Sequence, residues 1–351
     1  MKKYRNIIIA FFVGVLASLF VLKGISISKK KQIRKDRIEK RMEIKGINLD
    51  GHQYITSAIK CGAIAIIVEQ IPVNLNDNIT YVQVSSSYDA LGIIAGNFYK
   101  NPSEKIKLIG VTGTNGKTTI VNLLHQLFTL LNKKAGMLST IENKILEEVI
   151  ASTHTTPNPL EINCLLNNMI EKGCEYCFME VSSHGIAQGR VNGLYFTGGV
   201  FTNISQDHLD YHNTFSQYRD VKKSFFDSLS RDAFALVNKD DRNSDKMLEG
   251  TKAKSFTYSL GSLSDYRCKV LENQFEGMLL QINKVDVWVR LIGIFNAYNI
   301  LSVYGVAKQL GFEDYKLLTA LSMLTSAEGR FQFVRNSDSI TGIVDYAHTD
   351  D

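Results

Sequence analysis

Cysteine is scarce and unpatterned in this 351-residue chain: Cys61, Cys164, Cys174, Cys177 and Cys268 are odd in number and scattered. That excludes a disulfide framework of the secreted kind and fits a reducing compartment. Cys174 and Cys177 form a single CxxC, but a zinc or redox role needs a second pair or a suitable turn. Here the pair runs into the apolar stretch YCFMEV, so both read as buried strand cysteines. Repeats and low-complexity tracts are absent, which leaves ordinary globular domains. A general excess of positive charge is absent too. The net charge of +5 arises largely from Lys29, Lys30, Lys31, Arg34, Lys35, Arg37, Lys40 and Arg41, so the remainder is near neutral. No nucleic-acid surface, and no nucleic-acid partner, is expected. What is present, 44% hydrophobic and 21% charged residues over a length that holds two domains, is ordinary globular composition.

Ile7–Leu22 carries no charge, and Gly24–Ile27 could extend it past Lys23 to about the 20 residues a spanning helix needs. Lys2, Lys3 and Arg5 precede it and the larger basic cluster follows, which by the positive-inside rule keeps the rest of the chain cytoplasmic. No A-x-A site follows it, against a cleaved signal peptide. Two readings stay open: an anchor helix over residues 1–28 with a basic linker at 29–44, touching the membrane through residues 7–22, or an erroneous or fused start.

From Lys45 the pattern becomes alternating. A helix presents Ile55, Ala58 and Ile59 on one face, Ala63–Val68 and Thr80–Val84 read as strands, and a helix around Ala90–Tyr99 ends at Asn101–Pro102–Ser103. Leu108–Thr119, LIGVTGTNGKTT, is the organising stretch. Its apolar run enters a glycine turn, and Lys117 opens a segment with Ile120, Leu123, Leu124 and Leu127 at helical spacing. Strand, phosphate loop and helix follow in order. Gly113 and Gly116 let amides fold around phosphate oxygens, Lys117 reaches the outer phosphates, and the Thr118 hydroxyl can hold Mg²⁺. The common loop has glycine five residues before Gly116; Val111 stands there, with Gly110 one place earlier.

Beyond the loop, strands at Tyr176–Val181, Val200–Ile204 and Phe234–Asn238 alternate with helices at Leu160–Lys172 and Phe215–Leu229. That predicts an α/β fold with a mainly parallel sheet covered on both faces. Ser255–Leu260, Cys268–Leu271, Gly277–Ile282 and Val285–Leu291 read as hairpins at a sheet edge, followed by helices Asn296–Leu310 and Glu313–Leu324. Three polar clusters fall near expected strand ends: His154–Pro157, Glu180–Arg190 and Asn203–His212. Carboxylate and imidazole groups there could complete divalent-metal coordination beside a bound nucleotide.

TGTNGKTT, TTP, EVSSHGIAQGRV, TNISQDHLDYH, YRDVK, FNAYN, EGRFQ and DYAHT, in this order, resemble the Mur ligase family, and within it the UDP-N-acetylmuramoyl-tripeptide synthetase branch, from about Lys45 to the end. The resemblance implies a peptidoglycan-synthesis amide ligase that uses ATP to phosphorylate the D-glutamate carboxylate of UDP-MurNAc-L-Ala-D-Glu. A diamino acid, meso-diaminopimelate or L-lysine, then attacks the acyl phosphate. It implies ATP contacts at Gly113, Thr114, Asn115, Gly116, Lys117, Thr118 and Thr119, and at Asn296, Asn299, Arg330 and Asp345. It implies substrate contacts at Thr155, Thr156, Ser182, Gln188 and Arg190. Mg²⁺ ligation falls to Thr118, Glu180 and His208, and to Lys222 as a CO₂-derived carbamate (N6-carboxylysine), with Lys117, Lys222, His208 and Glu180 serving catalysis. For Asn296, Asn299, Arg330 and Asp345, capping or a structural ion pair is the alternative; for Lys222, a solvated helix lysine.

The chain departs from the family at His154, where relatives often carry Asn, and at Asp350, where they usually carry Pro. The expected organisation is a partial UDP-binding domain at 45–103, a complete central ATP-binding domain at 104–340, and the start of a third domain at 341–351. On that expectation the chain is feeble alone, and the alternative is a split or inactive membrane-tethered ATP-binding module served by a separate C-terminal chain. A folylpolyglutamate-type ligase shares the acyl-phosphate logic, but the EVSSHGIAQGRV stretch argues against it.

Overall fold

The computed structural model describes residues 9–11, 51–207, 209–335 and 341–345. The chain divides into two compact units, Met1–Ile94 and Ala95–Asp351.

In the first unit, β1 (Ile9–Phe11), β2 (Ala65–Val68) and β3 (Thr80–Gln83) form a parallel three-stranded sheet. Helix α1 (Ile55–Lys60) buries Ile55 and Ala58, which share a small core with Ile66 and Val68. Helix α2 (Ser87–Phe98) starts where Ser87 N and Oγ donate to Glu69 Oε1 at 2.9 and 2.5 Å, a carboxylate at the positive end of the helix. The expected anchor helix is corrected at Ile9–Phe11, which is a strand in register with Ala65–Ile67. A continuous apolar run suits a parallel strand as well as a spanning helix, and pairing decided between them. The rest of 7–22 lies outside the described residues. Among the described residues no helix is long and apolar enough to cross a membrane.

The second unit is built on an eleven-stranded sheet, and β4 (Lys107–Thr112) is its centre. Beside it run β8 (Tyr176–Glu180) and β9 (Gly198–Phe201), both parallel to it. Outward from β9 come β10 (Phe234–Asn238), β11 (Lys254–Ser259) and β12 (Tyr266–Gln274), all parallel, then β13 (Gly277–Ile282) and β14 (Val285–Val289), antiparallel. Outward from β8 comes parallel β5 (Ala135–Leu138), then antiparallel β6 (Glu142–Ile145) and β7 (Glu148–Ala151). Lys254–Ser259 therefore extends the parallel sheet, where the sequence suggested part of an edge hairpin.

The central strands are buried and mostly apolar along nearly their whole length because both faces are covered. On one face α3 (Lys117–Leu130), α9 (Ile294–Gln309) and α10 (Asp314–Leu321) bury Leu124, Phe128, Ile300, Leu301 and Leu317. On the other, α4 (Pro159–Glu171) and α7 (Phe215–Asp227) bury Ile162, Leu166, Phe225 and Phe226. Each such side chain contributes about 1.5–3 kcal/mol of transfer free energy.

Gly110 explains the displaced glycine of the loop sequence. A Cβ there would lie 2.6 Å from the Phe225 ring, and one on Gly199 would lie 2.9 Å from it. These two strand glycines let α7 approach the sheet, and that approach brings Lys222 beneath the phosphate loop.

Shorter elements join these, among them a 3-10 turn at Pro102–Glu104 and the helices α6 (Leu209–His212) and α8 (Ser244–Leu248). A short helix, α5 (Ser183–Ala187), follows β8, and a two-stranded antiparallel ribbon pairs β15 (Gln332–Arg335) with β16 (Thr341–Val344).

Candidate nucleotide and acceptor site

The loop between β4 and α3 is held in shape by the end of β9. Thr114 N donates to Asn203 O (2.8 Å), Asn115 N donates to Asn203 Oδ1 (2.9 Å), and Thr202 Oγ1 donates to Asn115 O (2.6 Å). Gly113 has φ +151°, and a Cβ there would fall 1.9 Å from Thr202 Oγ1. Gly116 has φ +86° and would bring a Cβ to 2.8 Å from Asn299 Oδ1. Both glycines are thus required by conformation and by space.

Two ammonium groups converge under this loop. Lys117 Nζ donates to Gly113 O (2.9 Å) and Thr114 O (2.6 Å), and Lys222 Nζ donates to the same Gly113 O at 2.9 Å. Lys222 is 1% exposed. Burial first, and then the neighbouring Lys117 charge, hold its amine well below the ordinary value of 10.5, against the pull of Asp207. Burial also lowers Lys117, whose surface remains partly exposed, while Glu180 and Asp207 oppose that shift. Lys222 lies 4.5 Å above the Tyr218 ring, and Tyr218 OH meets Thr114 Oγ1 at 3.1 Å, which ties α7 to the loop.

Glu180, at the end of β8, is fully buried. Thr140 N donates to its Oε1 (2.7 Å) and Thr140 Oγ1 to its Oε2 (3.1 Å). Burial raises its carboxyl, and Lys117, Thr140 and a hydrogen bond from Thr118 resist that rise. Beyond Glu180, Thr156 Oγ1 lies between Glu180 O (2.9 Å) and Ser182 Oγ (3.0 Å). Arg190 Nη1 donates to Thr156 O (2.7 Å), and Gln188 Oε1 accepts from Arg190 Nε (2.9 Å) and Nη2 (2.5 Å).

Two clefts open on either side of the loop, at the carboxyl ends of the parallel strands, as expected for a sheet whose order reverses about its centre. The first, about 420 Å³, is lined by Lys117, Thr118, Thr155, Thr156, Glu180, Ser182, Arg190 and Lys222, with Thr140, Asp207 and His154. The second, about 550 Å³, is lined by Asn296, Asn299 and Asp345, with Asn203, Asp240 and Tyr298. Asn115, Gly116, Thr119 and Arg330 line both. The three polar sequence clusters therefore converge on one edge. Gln188 stands behind Arg190 instead of lining the cleft, and His208 lies outside the described residues.

Asp240 in the second cleft is a residue the sequence did not flag. Its carboxylate accepts from Ser259 Oγ (2.7 Å), Leu260 N (2.9 Å), Gly261 N (3.1 Å), Ser262 N (3.0 Å) and Tyr298 OH (3.0 Å). Burial alone would raise it, but the bonds from Ser262, Ser259, Gly261 and Leu260 together hold it well below its ordinary 3.8. A carboxyl lowered on folding adds stability above its unfolded value, and that stability is lost as pH falls through the folded value. Asp240→Asn puts an NH₂ against amide donors. It is expected to cost about 2 kcal/mol and to flatten the acid limb of stability below about pH 4. Urea denaturation as a function of pH checks both effects.

Residues 111–307 match the description Mur ligase middle domain. The chain belongs to the Mur ligase family. It is 52% identical over 308 residues to a UDP-N-acetylmuramoyl-L-alanyl-D-glutamate–2,6-diaminopimelate ligase of Phocaeicola vulgatus, a match that covers 88% of this chain and 64% of the relative. It thus spans somewhat under two thirds of that relative's length. A solved structure of a ligase with the same name superposes at TM-score 0.72 with 29% identity, covering 85% of this chain and 62% of the other. A folylpolyglutamate synthase from Mycobacterium tuberculosis superposes at TM-score 0.60 with 16% identity over 75% of this chain and 66% of the other, a likeness in fold alone.

Within this Mur ligase frame the residues fit a nucleotide. The loop's backbone amides stand at the N-terminus of α3, and Lys117 supplies positive charge beside them. They also fit a divalent ion carried on phosphate, since a buried carboxylate and the Thr118 hydroxyl meet beside the loop. Among the described residues no group of three His, Cys, Asp or Glu side chains forms a cage, so the ligand's own oxygens would have to complete coordination.

Proposed function

We propose that the chain carries the ATP and sugar-dipeptide sites of a ligase that joins 2,6-diaminopimelate to UDP-MurNAc-L-Ala-D-Glu. The observation that carries this reading is the shared wall: Asn115, Gly116, Thr119 and Arg330 border both clefts. A nucleotide in the second cleft would present its terminal phosphate to an acceptor in the first. Similarity to relatives named as diaminopimelate ligases favours that diamino acid over L-lysine.

Each residue then has a task. Amides from Gly113 to Thr119 and the Lys117 ammonium bind and orient the triphosphate, with Asn296, Asn299, Arg330 and Asp345 on the nucleotide side. Thr155, Thr156 and Ser182 orient the sugar dipeptide, and Arg190, fixed by Gln188, takes an anionic group. A D-glutamate carboxylate oxygen attacks the γ-phosphorus, and the bond to the β,γ-bridging oxygen breaks, so ADP leaves with the electron pair. The diamino acid's amine lone pair then attacks the acyl carbon, phosphate leaves, and the amine gives up one proton. Mg²⁺ would be held by Thr118, Glu180 and His208, and it supplies charge neutralisation where two anions meet.

Lys222 fits the carbamate assignment. Its buried amine beside a second ammonium is biased toward the neutral, nucleophilic form. That lone pair can add to CO₂ with loss of one proton, which creates an anionic oxygen ligand. Isotopically labelled bicarbonate is expected to give a carbamate resonance that Lys222→Ala abolishes.

Positional isotope exchange tests the acyl-phosphate step. ATP labelled in its β,γ-bridging oxygen is expected to scramble that label only when UDP-MurNAc-L-Ala-D-Glu is present, and without need of diaminopimelate. Scrambling without the sugar dipeptide would contradict the proposal, as would amide formation with no scrambling.

A further inference from the structure

β14 is the last strand at its end of the eleven-stranded sheet, and its free edge carries a pattern that matches itself when turned about. The strand returns from β13 through a two-residue turn, Asn283–Lys284, with both residues at positive φ (49° and 67°). The residues flanking such a turn, Ile282 and Val285, form a hydrogen-bonded pair, and bonded and unbonded pairs alternate from there. Val285, Val287 and Val289 therefore direct their N–H and C=O groups to β13. Asp286 and Trp288 direct theirs outward, and the same alternation reaches Arg290, just past the strand.

The side chains follow the same two-residue period. Val287 and Val289 are buried in the core shared with α9 and α10, while Asp286, Trp288 and Arg290 are exposed. The Trp288 indole leans back over β13, since a Cβ on Gly277 would lie 3.1 Å from its Cε2 and Cζ2. Asp286 Oδ1 accepts from Gln281 Nε2 of β13 at 2.9 Å, which fixes the carboxylate on that face. Charges on an edge strand ordinarily keep it from pairing. Here they are opposite in sign and equally spaced about Trp288.

We propose that β14 pairs antiparallel with β14 of a second copy of this chain, about a two-fold axis at Trp288. In that register Asp286 of each copy faces Arg290 of the other, the two Trp288 residues face each other, and the outward N–H and C=O groups of all three residues meet partners. Moving one strand by a single residue sets outward-facing backbone against inward-facing backbone. Moving it by two residues sets Lys284 against Arg290 in one direction and Asp286 against Ile292 in the other. Among these registers only the one centred on Trp288 satisfies both the backbone and the charges. Apolar contact comes from Trp288 beside Leu279, its neighbour on β13.

Sedimentation velocity of the full chain over a range of concentrations tests this. The wild-type chain is expected to shift from monomer toward dimer as concentration rises, and added salt is expected to weaken the dimer. Asp286→Arg leaves two cations on each edge and Arg290→Asp leaves two carboxylates. Each variant then meets itself with like charges, and its dimer dissociation constant is expected to rise about tenfold or more. An equal mixture of the two variants restores opposite charges across the axis and is expected to associate within about threefold of the wild type. Trp288→Pro removes an outward N–H without touching the bonds to β13, and it too is expected to raise the constant about tenfold or more.

A substitution that merely damaged the strand would leave the mixture as weak as each variant alone, and that result would overturn the proposal. A wild-type chain that stays monomeric at every concentration would overturn it as well, as would association that the charge variants or Trp288→Pro retain unchanged. Thermal unfolding of each variant identifies loss of association through loss of fold.

Discussion

Lys222→Met is expected to make the protein more stable and to disable it. The amine is buried and lowered well below its ordinary 10.5, so near neutral pH the unfolded chain binds a proton there more readily than the folded one. Stability therefore rises with pH from the folded value up to about 10.5, and below that limit the lysine is a liability. Methionine follows the lysine stem as far as Cε, one atom short of Nζ, and carries no charge. Gly113 O keeps a donor, since Lys117 Nζ also reaches it at 2.9 Å. The expected gain is about 1 kcal/mol or more near neutral pH in CO₂-free buffer, and it shrinks toward pH 10. The same substitution removes the group assigned to the carbamate, and sugar-dipeptide-dependent isotope exchange is expected to fall about 100-fold or more. Paired denaturation and exchange measurements check the two halves. A buried ionisable group retained at a cost to stability is the pattern expected where a site trades stability for chemistry.

Gly113→Ala is expected to act in the opposite sense on stability while also removing binding. At φ +151° a side chain is strained, and the new Cβ would meet Thr202 Oγ1 at 1.9 Å and Asn203 O at 2.9 Å. Neither neighbour can easily yield. Thr202 Oγ1 is bonded to Asn115 O at 2.6 Å, and Asn203 O accepts from Thr114 N at 2.8 Å. The loop itself must move, at a cost of about 2–4 kcal/mol. Because those bonds shape the amide cradle, ATP affinity is expected to fall about 100-fold. Calorimetry with a non-hydrolysable ATP analogue measures the affinity, and urea denaturation the stability. Gly110→Ala separates packing from binding. It is expected to destabilise the Phe225 contact and the seat of α7 while the loop glycines remain intact.

The loop, the alternation of strands and helices, and the convergence of three polar clusters were legible in the sequence because each is written in local spacing. Phe234–Asn238 is a strand over those same residues, and Phe215–Asp227 is a helix within two residues of the expected end. What the sequence did not disclose depends on distant pairing. Glu142–Ile145 and Glu148–Ala151 are the last two strands at one end of the sheet, each four residues long, and the first carries a buried Asn143 whose side chain accepts from Ser139 N. Their apolar pattern is too short to register.

Thr140 lies just before those unrecognised strands, so its contact with Glu180, 40 residues away in sequence, left no local trace. Asp240 was hidden for a similar reason. Its donors lie about twenty residues downstream in the turn after β11, and Tyr298 lies 58 residues away. Ile9–Phe11 shows the reverse case, in which a strong local signal for a spanning helix lost to a pairing with β2 that only the fold supplies.

The central claim is that one loop serves two clefts, a nucleotide in one and a sugar dipeptide in the other. Sequential calorimetric titration of the full chain tests it most directly, first with a non-hydrolysable ATP analogue and Mg²⁺, then with UDP-MurNAc-L-Ala-D-Glu. The account predicts that both bind, and that Arg190→Ala abolishes the second titration while leaving the first intact. Binding of the nucleotide with no binding of the sugar dipeptide to the wild-type chain would contradict it.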